Sequence, residues 1–296
     1  MWSAGLYVRR VARGKRTHPR RGWVRALAGV SAALLLGCDA GGGTPAHLKG
    51  PPAQILVLNG SVLRAVVASD GQLSRTFASR RTYVAGPPRS RSPVPGVPGI
   101  VEPTAIYKSY AAFAQDLAAG LLPKTVHTVL YDPEKWPGTP LAEQRDPRAY
   151  MLRFSLLARA HGLVPILAPA RDLVLVPGAA CPKRRGENLT RAYLRCGLAT
   201  ADAHAAVLVV QSQLDELSVP VFRHFLAVAS RQARAGNPHV AVVAQLATAP
   251  DGQAATAEQL VAAARSVSGM VQGFSLNARL ADLETAASVL GSFRPS

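Results

Sequence analysis

Most of the signatures that announce a chemistry are missing from this chain of 296 residues. There is no His-Glu-x-x-His and no Cys-x-x-Cys, and the seven histidines lack metal-ligand spacing, so no metal site is expected. Without a Gly-x-Ser-x-Gly elbow or a Gly-Lys-Ser/Thr phosphate loop, the α/β-hydrolase and P-loop classes drop out. No Gly-x-Gly-x-x-Gly follows the apolar run Ile55–Leu58, where Asn59-Gly60-Ser61 reads as a simple turn. That weighs against an open dinucleotide-binding sheet, and no cofactor is expected. Acidic residues are few, 17 against 34 lysines and arginines, and cysteine is limited to three. The apolar run Ala26–Gly37 has only twelve residues, whereas a bilayer core needs about 20.

That short run follows a leader holding Arg9, Arg10, Arg13, Lys15, Arg16, Arg20, Arg21 and Arg25 and no acid. A basic region, a short apolar region and a small residue before a cleavage point make residues 1–37 a secretory signal peptide. Leu35-Leu36-Gly37-Cys38 resembles the lipobox of bacterial lipoproteins. The resemblance implies that the Cys38 thiol carries lipid (palmitate among it) and that the mature protein is extracytoplasmic, anchored to the outer face of the cell membrane. Arg20-Arg21-Gly22-Trp23 also resembles a twin-arginine export signal, with the general secretory route an equal alternative.

The leader supplies eight of the positive charges, so the net +17 becomes +9 for the remainder. A basic balance usually suggests nucleic acid, but an exported domain meets anionic lipid and wall polymer instead. No nucleic-acid partner is expected, and much of the arginine reads as solvated surface. With Cys38 assigned to lipid, Cys181 and Cys196 remain, and two cysteines outside the membrane invite a disulfide. Closing their loop is worth about 3 kcal/mol in unfolded-chain entropy.

Residues 38–52 contain glycine and proline with little apolar content and read as a lipidated flexible tether. Residues 53–296 form the globular domain, expected to be a monomer. Apolar runs at Ile55–Leu58, Val126–Tyr131, Leu163–Ala168, Ala205–Val210, Val240–Leu246 and Met270–Leu276 predict buried strands. Alanine-rich stretches at Ala105–Ala119, Asp146–His161, Thr190–Ala199, Val219–Ala235, Ala257–Ser266 and Leu280–Leu290 predict helices. Thr139-Pro140 with Glu143, and Asp146-Pro147, supply helix-start signals. Strands recur about every 30 to 40 residues, one βα unit each. With Thr82–Ala85 and Val62–Ala68 as further strands, the count approaches the eight of a (β/α)8 barrel, irregular or incomplete at its N-terminal part. The proline-rich stretch 86–103 reads either as a stiff loop or as an insertion.

In such barrels the site lies at the C-terminal ends of the strands. Here Val126–Tyr131 runs into Asp132 and Glu134, and Leu163–Ala168 into Asp172. Later strand ends deliver Gln211 and Gln213, then Gln245, then Asn277. Such groups suit a polyhydroxylated ligand, although strands also stop wherever polarity begins. A glycosidase needs two carboxylates, and the acids available are Asp132, Glu134, Asp172, Asp215 and Glu216. The Asp-x-x-Asp-x-Asp-x-Glu run of chitinase-type barrels is absent. Glutamines cannot transfer protons, so the same mouth could bind a glycan without cutting it.

Tyr131-Asp132-Pro133-Glu134-Lys135-Trp136 with Thr139-Pro140 and Glu143-Gln144 resembles secreted, uncharacterised barrel proteins of actinobacteria. Pro238, Ala244-Gln245-Leu246 and Gly273-Phe274-Ser275-Leu276-Asn277 extend the resemblance over about residues 120–280. It implies a layout like that of glycoside hydrolase barrels facing an envelope or extracellular glycan, with Ser275 where an aromatic floor would stand. The expectation is Glu134 as general acid with Asp132 or Asp172 as partner, and Gln211, Gln213, Gln245 and Asn277 as ligand-binding groups. The alternative is a non-catalytic glycan-binding or scaffold lipoprotein of the envelope.

Overall fold

The computed structural model describes residues 55–69, Leu73, Phe77, 80–88 and 100–293. The leader, Cys38, the tether 38–52 and most of the stretch 86–103 lie outside the described residues. Eight strands follow in chain order: β1 (Ile55–Asn59), β2 (Arg81–Gly86), β3 (Ile100–Tyr107), β4 (Thr128–Tyr131), β5 (Val164–Leu167), β6 (Val207–Val210), β7 (Ala241–Ala247) and β8 (Gly273–Asn277). Each pairs in parallel with the next, and β8 returns to β1 to close a barrel. The described helices are α1 (Gly60–Ser69), α2 (Tyr110–Ala118), α3 (Leu141–Arg145), α4 (Pro147–Ala160), α5 (Leu189–Arg195), α6 (Val219–Gly236), α7 (Ala257–Ser266) and α8 (Leu283–Ser292). None is long and apolar enough to cross a membrane. The chain is thus a (β/α)8 barrel.

Strands β5 and β6 are continuously apolar because both faces are covered. Val57, Ile106, Leu130, Ile166, Val209 and Val243 fill the barrel, while Leu58, Val129, Tyr131, Leu208, Val242 and Phe274 belong to the layer packed under the helices. Closure demands glycine at 273, where a Cβ would lie 2.0 Å from the Ile55 carbonyl oxygen. Helix α4 begins as Asp146-Pro147 predicts, with the Asp146 carboxylate accepting from Ala149 N at 3.3 Å.

Among the described residues β1 pairs with β2 along its whole length, from Ile55 with Arg81 to Asn59 with Ala85, and no helix is described between β2 and β3. Two expectations are corrected. Val62–Ala68 belongs to α1, not to a strand; Val62, Leu63 and Val66 fall at helical spacing on one buried face. The stretch Ala105–Ala119 is not one helix. Its first three residues finish β3, and α2 starts only after Ser109, whose hydroxyl accepts from Ala112 N at 3.2 Å. Cys181 and Cys196 are bridged, 5.5 Å apart at Cα, which ties the β5–α5 loop to the end of α5.

Candidate active site at the barrel mouth

Inward-facing residues alternate with those facing the helices. The series Thr104, Ile106 on β3 and Thr128, Leu130 on β4 therefore carries on to Lys108 and Asp132, just past the strand ends. Lys108 is the centre of the mouth. Its Nζ donates to Asp132 Oδ2 and, at 2.6 Å, to Glu134 Oε1, and it lies 5.5 Å from the centroid of the Trp136 ring. Two oxygens served by one tetrahedral ammonium stand about 4 Å apart. The Asp132 side chain is 1% exposed and that of Glu134 is 31% exposed, so only Glu134 can meet a ligand directly.

Asp132 Oδ1 accepts from Gln211 Nε2 at 2.9 Å, and the same amide nitrogen donates to the Ala168 carbonyl at 2.9 Å. Burial lifts the Asp132 pKa to about 6; Lys108 pulls it down, and the like charges of Glu134 and Asp172 push it up. Burial alone would lower the Lys108 pKa, but Asp132 and Glu134 outweigh it and the pKa is raised, so the ammonium is retained. Asp172 joins from the β5 side, its Oδ1 accepting from Lys135 N at 3.1 Å. Burial raises its pKa against that hydrogen bond, and Glu134 adds to the rise. The three acids named from the sequence thus converge on one spot.

The loop after β4 is held by its own residues. Thr139 Oγ1 donates to the Lys108 carbonyl at 2.8 Å and accepts from Glu134 N and from Trp136 Nε1. Gln144 Nε2 donates to the Trp136 and Thr139 carbonyls. Trp136 lies against Gly138, where a Cβ would come within 2.4 Å of the indole. Glu143 is buried and does not cap its own helix. It accepts instead from Ser109 Oγ, Tyr110 N and Ala111 N at the start of α2, and from the Tyr131 hydroxyl at 2.7 Å. One carboxylate therefore locks the β3–α2 junction that carries Lys108 to the β4 strand that carries Asp132.

The other half of the mouth is lined by amides and hydroxyls. Gln213 Nε2 approaches Gln211 Oε1 at 3.4 Å, Gln245 and Ser275 are buried on neighbouring strands, and Asn277 stands half-buried at the end of β8. The remaining two acids lie apart from the Lys108 cluster. Asp215 is tied to the buried Arg171 at 2.6 Å. Glu216 accepts from Ala247 N at 2.9 Å, and burial raises its pKa to about 7. Among the described residues no group of three or more His, Cys, Asp or Glu is arranged to hold a metal ion.

Sequence reasoning missed Lys108, because its stretch reads as helix; the alternation Thr104, Ile106, Lys108 is the signal that finds it. It also left Trp136 without a role, although the indole sits two residues from Glu134. No family model matches the chain, and no curated protein matches it.

Proposed function

We propose that the chain is an exported, lipid-anchored barrel whose mouth faces a glycan and carries glycoside hydrolase-like acid–base chemistry. The observation that carries this reading is that Glu134 and Asp132 share Lys108 at the C-terminal end of the strands, with Asp172 close enough to raise the Asp132 pKa. Two carboxylates a few ångströms apart are the minimum equipment for glycoside hydrolysis. Their exposures divide the labour. Glu134, part-exposed and with Oε2 outside any hydrogen bond described above, serves as general acid. Asp172 is its partner at the ligand, and the inaccessible Asp132 is a positioning residue that fixes Lys108 and Gln211. Trp136, held by Thr139 and Gly138, supplies the apolar surface that Ser275 does not. The Cys181–Cys196 bridge accords with an oxidising compartment, which supports export.

A second reading, a glycan-binding or scaffold lipoprotein without catalysis, is favoured by one specific feature. Lys108 already grips an oxygen of Glu134, and amides take the strand ends where hydrolases keep acids. Release of reducing ends from a glycan panel by purified residues 39–296 separates the two. Hydrolysis that disappears in Glu134→Gln supports the catalytic reading. Retained glycan binding with no cleavage by either protein supports the second, and hydrolysis unaffected by the substitution overturns the assignment of Glu134.

A further inference from the structure

We propose that the loop between β6 and α6 docks on an anionic phospholipid bilayer, with this side of the barrel mouth against the membrane. The inference rests on the lipid-anchored reading above, which puts a bilayer within reach, and adds a second, non-covalent contact with it. The loop leaves the C-terminal end of β6 and so stands on the rim of the mouth. Polarity in Leu214-Asp215-Glu216-Leu217-Ser218-Val219-Pro220-Val221 runs opposite to that of an ordinary surface loop. The two acids are turned in: Asp215 binds the buried Arg171, and Glu216 is buried and accepts from Ala247 N. The four aliphatics are turned out, each between 36% and 49% exposed. Neither acid contact requires an aliphatic at 214, 217, 219 or 221, where polar residues would be well solvated. Single exposed aliphatics are ordinary, but four within eight residues mark an interaction surface.

The surroundings of the loop favour lipid as the occupant. Arg171 lies in the connection after β5, and its pair with Asp215 ties that connection to the loop. Leu175, also exposed, follows four residues after Arg171. Lys183 N donates to the Val174 carbonyl, which brings Arg184 and Arg185 close to Leu175. Arg184, Arg185 and, in the second turn of α6, Arg223 are exposed and form no salt bridge among the described residues. Aliphatics for the acyl boundary and arginines for the head groups are the two components of an interfacial membrane contact. A second copy of this chain would bring the same cations to the same place and meet like charge. The chain length allows the contact. Residues 39–54 reach about 50–60 Å at full extension. The eight residues of β3 rise about 26 Å, so an anchor at Cys38 lets the mouth end of the barrel meet the membrane.

The test uses residues 39–296, which keep the compact unit 48–296 and carry no acyl chain. Sedimentation with vesicles of equal parts phosphatidylglycerol and phosphatidylcholine, and of phosphatidylcholine alone, reads the partition. The anionic vesicles are expected to bind about tenfold more strongly or better, the effect of two or three arginines at the surface. Leu217→Ser with Val221→Ser is expected to weaken that binding about tenfold. Arg184→Gln with Arg185→Gln is expected to weaken it by about the same factor, on anionic vesicles alone. All four positions are exposed, so Tm is expected to stay within about 2 °C in each pair. Leu217→Trp is expected to tighten binding, with a blue shift of the new indole's emission when vesicles are added. No binding to either vesicle, equal binding to both, or binding that survives Leu217→Ser with Val221→Ser would overturn the docking surface. A dimer that the same pair of substitutions dissolves would overturn it too, and make a second copy the occupant. Detergent partition of the acylated protein tests Cys38 by itself, so a failed dock leaves the anchor standing and a failed anchor leaves the vesicle result standing.

Discussion

Glu216 is a buried carboxyl with one backbone hydrogen bond, and its replacement by glutamine makes a sharp prediction. The folded chain holds its pKa near 7, against an ordinary value of 4.5, chiefly through burial. Its Oε2 is buried without a partner, and the side chain is 1% exposed. Between about pH 4.5 and 7 the folded protein therefore keeps a proton that the unfolded chain has lost. The stabilising neutral form is fully present below the unfolded pKa, and its advantage is lost as pH rises through the folded pKa. Ionising Glu216 at pH 8 costs on the order of 3 kcal/mol. Glu216→Gln imitates the protonated acid, and its amide oxygen can still accept from Ala247 N. The variant is expected to match the wild type at pH 4.5 and to melt about 6–12 °C higher at pH 8. Asp132, with its pKa raised to about 6, adds a slope of the same sign to both proteins, so the difference between them isolates Glu216. Thermal melting from pH 4.5 to 8.5 makes the comparison. A Tm difference that does not change with pH would refute the reasoning.

Three further outcomes follow from the packing and the leader. Glu143→Ala removes four hydrogen bonds and is expected to cost about 3 kcal/mol or more by denaturant unfolding, with Lys108 freed at the β3–α2 junction. Replacing Cys181 and Cys196 together by serine is expected to cost about 3 kcal/mol in the same assay, matching the effect of a reductant on the wild type. Cys38→Ser is expected to move the protein from the detergent phase to the aqueous phase in a phase-partition experiment.

The barrel was legible where strands are buried on both faces and filled by apolar residues, as in Thr128–Tyr131 and Val207–Val210. It was not legible where the interior is polar. In β3, Glu102 binds Arg81 and Thr128, Pro103 has no N–H, and Lys108 follows; the apolar pattern dissolves, and alanines beyond it suggested a helix. The acids could be named because they end strands. Their convergence could not, because Lys108 joins residues 24 and 26 positions away, a separation that no local pattern encodes. Glu143 illustrates the same limit, since its spacing after Thr139 suggested a cap for its own helix while three of its four partners lie more than 30 residues earlier.

The most direct test of a glycan-facing mouth centred on Lys108 reads that residue itself. The chain has only six lysines, so 15N-lysine labelling of the Glu134→Gln protein gives few ammonium signals. Lys108, still bound by Asp132, is expected to be the slowly exchanging one. Titration with methyl glucoside and methyl galactoside should shift the Lys108 signal while the exposed Lys124 stays fixed. A Lys108 signal that no sugar moves, with binding detected elsewhere on the chain or not at all, would contradict the account.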